Sequence, residues 1–200
     1  MINNKGFSII EILIGIMIFT LGITGVYVLM VSTINLNEYS KNSIIATNLA
    51  RGSIEDIRNL RDNNYKNLYK RDKLPGNDTN LVFSTGVYYK VENDYSPFTS
   101  ETVKLEVILD FAEGKEFLAN KMNNYILCLD NENKYTYDCS GQNKKTYFYK
   151  YMKFDDVIYN SGGVNKIISG SLKLTSKVIW YNKGYHQIEL KTILTDYLRQ

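Results

Sequence analysis

The chain has 200 residues, of which 44% are hydrophobic and 22% are charged, and its formal net charge is +3. This small positive charge gives no indication of nucleic-acid binding, and the length fits one globular domain plus one membrane-spanning segment. Tyrosine is unusually frequent, with 17 residues. Because tyrosine suits half-buried strands and amphipathic surfaces, we expect a β-rich globular part. A tyrosine-based binding surface is the alternative interpretation.

Residues 7–31 form the most apolar stretch, with Glu11 as their one charged residue and no proline. A rise of about 1.5 Å per residue gives a helix of roughly 37 Å over this range. That length crosses a hydrocarbon core of about 30 Å with some tilt. A carboxylate inside such a span is costly, so Glu11 is a candidate functional residue.

A cleaved secretory signal peptide fits this stretch poorly. Its apolar region would be about 7–15 residues long and would end at a small-residue cleavage site, but the first alanine of the chain is Ala46. Lys5 in the polar leader, residues 1–6, predicts a cytoplasmic N-terminus. Everything after Val31 would then lie outside the cytoplasm.

Glu11 lies about one helical turn after Phe7. Cleavage after Gly6 would place a new amino terminus on Phe7, at the start of the apolar stretch. That cation could pair with Glu11 of the same chain or of a staggered neighbour, and the carboxylate also suits the positive end of the helix macrodipole. Neither charge would then remain unpaired in apolar surroundings.

These residues resemble the processing site of type IV prepilins and pseudopilins. The resemblance is carried by Lys5-Gly6-Phe7-Ser8-Ile9-Ile10-Glu11 and the apolar run that follows. It implies that a prepilin peptidase cleaves between Gly6 and Phe7 and methylates the new amine of Phe7. It also implies that Glu11 guides subunit stacking in a filament. The alternative is an ordinary signal anchor with an incidental glutamate.

The helix is predicted to continue through residues 32–62 as an amphipathic segment and to end at Asp62-Asn63-Asn64. Apolar residues recur there at steps of three to five, which is typical of one buried helical stripe; they are Ile45, Leu49, Ile54, Ile57 and Leu60. Residues 46–58 resemble the helix of minor pilins and I-type pseudopilins. Ser8, Gly15 and Gly22 recur every seven residues, which favours close helix contacts or reflects the ordinary frequency of glycine in membrane helices.

Residues 63–200 are predicted to form a β-rich extracytoplasmic domain. Some segments alternate apolar and polar residues, and others are rich in β-branched and aromatic residues; both patterns predict strands. The predicted strands are 87–91, 103–109, 125–129, 134–138, 146–154, 172–180 and 188–194. A polar linker with a turn at 75–77, a short helix around 116–122, a loop at 162–163 and a left-handed Gly184 in the last hairpin are also expected. The predicted fold class is α+β, with a long N-terminal helix packed on an antiparallel sheet of at least four strands.

The two cysteines, Cys128 and Cys139, flank a predicted hairpin turn at residues 130–133. In an oxidising compartment they would form a disulfide that staples this hairpin. Two unpaired thiols are the alternative.

The sequence gives no sign of catalysis or of a cofactor. His186 is the one histidine, predicted to lie at the surface of a strand, and no nucleophile elbow, P-loop or dinucleotide fingerprint is present. Asp130-Asn131-Glu132 loosely suggests calcium ligands but lacks the EF-hand spacing, so a solvated turn is the preferred interpretation. Residues 77–79 fit a glycosylation sequon. We therefore expect neither an enzyme nor a metal site.

The resemblance implies a structural, minor subunit of a type IV pilus or a type II secretion pseudopilus. Its partners would be other pilin or pseudopilin subunits, a prepilin peptidase, the membrane, and an assembly platform with a separate ATPase. The protein would cross the inner membrane once before assembly and lie in an extracellular or periplasmic filament afterwards. The alternative function is an uncleaved, membrane-anchored binding module. An enzyme is a third hypothesis.

Overall fold

The structure, a computed structural model, describes residues 8–66, 85–94, 102–108 and 125–195. These residues form one helix and seven strands: α1 (Ile9–Lys66), β1 (Tyr88–Asp94), β2 (Thr102–Ile108), β3 (Ile126–Leu129), β4 (Tyr135–Thr136), β5 (Lys144–Ser161), β6 (Val164–Tyr181) and β7 (Tyr185–Thr195). Contacts divide the chain into two compact units, Met1–Ser43 and Ile44–Gln200. The predicted α+β class is confirmed.

The strands form one sheet in which every pairing is antiparallel. Its order is β2-β1-β5-β3-β4, with β6 also paired to β5 and β7 paired to β6. The long strand β5 therefore organises the sheet, because it pairs with β1, β3 and β6. The last two strands form a hairpin whose register runs from Ser171 opposite Thr195 to Tyr181 opposite Tyr185.

The core of the second unit lies between the sheet and the part of α1 that belongs to this unit. Alternate residues of β6 are buried from Leu172 to Val178, as expected for a strand segment with one covered face. Ile54, Ile57 and Leu60 of α1 cluster with Met152, Phe154 and Leu174, among other residues. Ala46 and Ala50 cluster with Phe148 and Trp180, among others. We infer that the small alanines leave room for the two large aromatic rings.

Tyrosines cover the other face of the sheet. Tyr151 is adjacent to the core residue Met152 and therefore points to the opposite face. It is buried with Tyr125 in a separate cluster and meets the ring of Tyr88 edge-on, at 5.8 Å between centroids. The high tyrosine content is thus used in part to cover a sheet.

The predicted strands are found, but several boundaries differ. β5 and β6 extend beyond the predicted ranges, whereas the strand predicted at 134–138 is reduced to Tyr135–Thr136. The helix continues past Asp62 to Lys66 because Asn63 and Asn64 only weakly disfavour a helix. The expected turn at 75–77, the sequon at 77–79 and the helix around 116–122 lie outside the described residues.

The left-handed position in the last hairpin is Lys183, whereas the sequence predicts Gly184. Lys183 has φ of 54°, whereas Gly184 is not among the residues with positive φ. The N–H of Asn182 donates to the carbonyl of Gly184 at 3.1 Å, so the three-residue loop closes around Lys183. Glycine adopts this conformation most readily, but the geometry of the loop places the left-handed conformation one residue earlier in the chain, at Lys183.

The hairpin of β3 and β4 carries the cross-link between Cys128 and Cys139, whose Cα atoms are 5.3 Å apart. Its turn uses the Asp130 carboxylate, which accepts hydrogen bonds at 2.8 Å from the N–H groups of Glu132 and Lys134. This carboxylate therefore has a structural role in the turn.

We expect Ser176→Ala to stabilise the protein by about 1 kcal/mol, because a buried hydroxyl without a partner carries an uncompensated desolvation cost. Ser176 is fully buried, and its Oγ has no hydrogen-bond partner among the residues that the structure describes. Urea unfolding of the full chain in detergent measures the change. Ser53→Ala is the matched control, since the buried Ser53 hydroxyl donates to the carbonyl of Leu49. A loss of stability in Ser176→Ala would contradict this prediction.

Replacing both cysteines by alanine should lower the free energy of unfolding by roughly 2–3 kcal/mol, because the cross-link restricts the unfolded chain. The two positions are 11 residues apart. Unfolding with and without a reducing agent provides the measurement. The reductant should destabilise the wild-type protein and leave the double variant unchanged; equal effects on both would refute a contribution from the cross-link.

Candidate functional site

The N-terminal end of α1 carries the residues that the sequence singled out. Ser8 immediately precedes the helix, and its carbonyl accepts hydrogen bonds from the N–H groups of Glu11 and Ile12 at 3.0 and 3.3 Å. Ser8 and Glu11 thus have the spacing of a capping box, in which a serine cap is followed three residues later by glutamate. Glu11 lies in the first turn, where a negative charge complements the helix macrodipole.

The first unit exposes an apolar helix surface. From Ile9 to Leu36, every large hydrophobic side chain is between 40% and 79% exposed. An 18-residue window of α1 reaches a mean hydropathy of 2.4, and the helix is long and apolar enough to cross a membrane. Exposure of so much apolar surface to water is unfavourable, so this surface requires a membrane or other apolar helices.

Hydroxyl groups within this surface are satisfied by the helix itself. Thr20, Thr24 and Thr33 each donate to a backbone carbonyl three or four residues earlier, at 2.8–2.9 Å. Such bonds let threonine lie in apolar surroundings without an unpaired donor. Glu11 differs, because no cation within the described ranges forms an ion pair with it.

Small residues leave open space along the same helix. A Cβ atom added to Gly15, Gly22 or Gly25 would have no other heavy atom within 4 Å. Another helix could approach closely at these positions, as small residues allow in membranes. The structure is equally compatible with glycine that has no contact role.

The sequence-predicted residues do not form one site. Glu11 lies in the first unit, Cys128 and Cys139 lie in the second, and Gly6 and Phe7 lie outside the described residues. His186 is half-buried; its ring stacks on Trp180 at 5.3 Å, and its Nε2 lies 3.3 Å from the carbonyl of Asn182. In the described part of the chain, no group of three His, Cys, Asp or Glu residues could hold a metal ion.

Two features were missed by reasoning from the sequence. The capping arrangement at Ser8 could have been found, because Ser-x-x-Glu is a recognisable pattern. A cavity in the second unit, lined by apolar and charged side chains from α1, β1, β5 and the β3–β4 hairpin, had no sequence signal. Its residues are distant in the chain, so only the fold brings them together.

Comparison with known proteins agrees with this description of the N-terminal region. Residues 1–27 match the family model described as the prokaryotic N-terminal methylation motif. No curated protein and no solved structure matches the chain significantly. The matched range contains Gly6, Phe7 and Glu11 and extends into the exposed apolar part of α1. The chain therefore carries the prokaryotic N-terminal methylation motif, which is the type IV prepilin-type signal.

Proposed function

We propose that the protein is a minor structural subunit of a type IV pilus or a type II secretion pseudopilus. A prepilin peptidase cleaves it between Gly6 and Phe7 and methylates the Phe7 amine, and α1 then carries it into a filament. The observation that supports this most strongly is the methylation motif at residues 1–27, followed directly by an exposed apolar helix with Glu11 as the one charge in its span.

Before assembly, residues 7–31 hold the subunit in the inner membrane with its N-terminus in the cytoplasm. Transfer from lipid to a bundle of similar helices exchanges one apolar environment for another, so the hydrophobic effect gives little net driving force. Packing at small residues and pairing of charges must then provide cohesion and register. The apolar part of α1 differs in this respect from a core helix of a water-soluble domain, whose packing is driven mainly by the hydrophobic effect.

Glu11 provides the charge for that register. An unpaired carboxylate costs on the order of 2–3 kcal/mol near the centre of a membrane, and Glu11, about one turn into the span, would carry part of that cost. A methylated Phe7 amine on a neighbouring subunit would neutralise it, and a subunit placed at another height would leave both charges unpaired. The proposed partners are therefore other pilin or pseudopilin subunits, with a separate ATPase and platform powering extraction.

The test of processing is mass spectrometry of the N-terminal peptide of the mature protein. We expect a peptide that starts with N-methyl-phenylalanine at Phe7. Gly6→Leu is the control and should retain residues 1–6, because the family's cleavage site requires a small residue there. An intact N-terminus in the wild-type protein would contradict the proposal and favour the membrane-anchored binding module.

The role of Glu11 can be separated from helix capping with three variants. Glu11→Ala and Glu11→Gln both remove the charge, but glutamine keeps a capping-box side chain. Ser8→Ala removes the cap and keeps the charge, at a cost of about 1 kcal/mol in helix stability. We expect normal cleavage in all three and a loss of at least about tenfold in filament incorporation in both Glu11 variants, since about 1.4 kcal/mol corresponds to tenfold.

Incorporation is measured as the fraction of the protein in sheared filaments relative to membranes. Ser8→Ala should incorporate close to the wild-type level. Normal incorporation of Glu11→Gln would show that the charge does not set register. A defect in Ser8→Ala as large as that in Glu11→Ala would instead assign the role to capping.

A further inference from the structure

The second unit contains a cavity of about 900 Å³. One wall is a face of α1 that includes Asn48, Gly52 and Asp56, and the other wall is the β3–β4 hairpin, residues 130–138. Glu92 of β1 and Lys150 of β5 also line it. This volume lies within the range of typical ligand pockets, about 300–1,000 Å³.

Lys150 brings an ammonium group to this cavity. Loss of hydration lowers the pKa of Lys150, and the carboxylates of Asp56 and Glu92 partly offset this effect. The resulting pKa is about 8, so the side chain remains mainly protonated at neutral pH. Its Nζ lies 5.3 Å from the ring centroid of Tyr137. The amine makes no hydrogen bond or ion pair within the described ranges, and it can therefore donate to an oxygen atom of a ligand.

Carboxylates dominate the charge of the lining. Five acidic residues, Asp56, Glu92, Asp130, Glu132 and Asp138, face two lysines, Lys134 and Lys150. One of the lysines, Lys134, already pairs with Glu132 at 2.7 Å. The remaining excess of negative charge favours a cationic ligand.

Hydrogen bonds hold some of these carboxylates in place. The Glu92 carboxylate accepts from the hydroxyl of Thr136 and from the N–H of Tyr137, the latter at 3.3 Å. Asp138 accepts from the N–H of Ser140 at 2.9 Å, which lowers the pKa of Asp138. The negative charge is therefore fixed in position before any ligand binds.

Two further features complete the cavity. Tyr135 lines it, and tyrosine rings attract ammonium and guanidinium groups; the ring of Tyr137 already lies near the ammonium groups of Lys90 and Lys150, at 5.9 and 5.3 Å from its centroid. Gly52 leaves space, because a Cβ atom at this position would have no heavy atom within 4 Å.

We propose that this cavity binds a basic peptide segment of a partner protein. A backbone carbonyl of the peptide accepts a hydrogen bond from Lys150, and its lysine or arginine side chains meet the carboxylates and the ring of Tyr135. A peptide is favoured over a simple cation because it supplies both an oxygen acceptor and positive charge. The proposal rests on the second unit alone and does not depend on processing or filament assembly.

The test uses the full chain in a neutral detergent and fluorescence anisotropy of three labelled peptides of equal length. The repeating units are Gly-Lys, Gly-Ser and Gly-Glu. We expect the basic peptide to bind, with an affinity that falls as salt is added because the charges are screened. Equal binding of the neutral or acidic peptide would overturn the proposal, and so would no binding of the basic one.

Variants at Gly52 locate the binding. Gly52→Leu fills the cavity, and Gly52→Ala is the matched control that keeps its volume nearly unchanged. Both replacements favour the helix over glycine, so folding should be preserved. We expect at least about tenfold weaker binding for Gly52→Leu and for Glu92→Gln, in the range of losses for truncated charge pairs, and wild-type binding for Gly52→Ala.

Wild-type affinity in Gly52→Leu would show that the peptide binds elsewhere, and an equal loss in both Gly52 variants would show that cavity volume is not what matters. Either result would overturn the proposal. Mass spectrometry of the N-terminus reports on processing independently of these measurements.

Discussion

An apolar helix surface with a single carboxylate is the constraint on which the function of this protein depends. Water cannot solvate the side chains from Ile9 to Leu36 favourably, and lipid cannot solvate Glu11. The hydroxyl groups of Thr20, Thr24 and Thr33 donate hydrogen bonds to backbone carbonyls of the helix itself. The helix is therefore suited to a membrane or to other apolar helices, and Glu11 is the one charge that such surroundings would not solvate. The proposed cleavage after Gly6 would provide a cation for it.

The second unit buries its apolar side chains in a core of its own. Its part of α1 buries one stripe on a sheet whose strands alternate inward and outward side chains, so the two periodicities meet in one core. Tyrosines cover much of the other face of the sheet. The cavity lies where the helix, the sheet and the cross-linked hairpin come together.

Sequence reasoning succeeded where periodicity carries the information. The helix and the final hairpin were predicted because their apolar residues recur at helical and strand spacing. It failed where geometry decides between similar local choices, as with Lys183 rather than Gly184 in the left-handed region. The burial of Ser176 and the gathering of Asp56, Glu92 and Lys150 around one cavity depend on contacts between distant segments. No local pattern encodes such contacts.

The cross-link between Cys128 and Cys139 encloses the hairpin that forms one wall of the cavity. That wall would be stiff in an oxidising compartment and loose in a reducing one. The redox state of the surroundings would then set how rigid this wall is, and with it how well the cavity keeps its shape for a ligand.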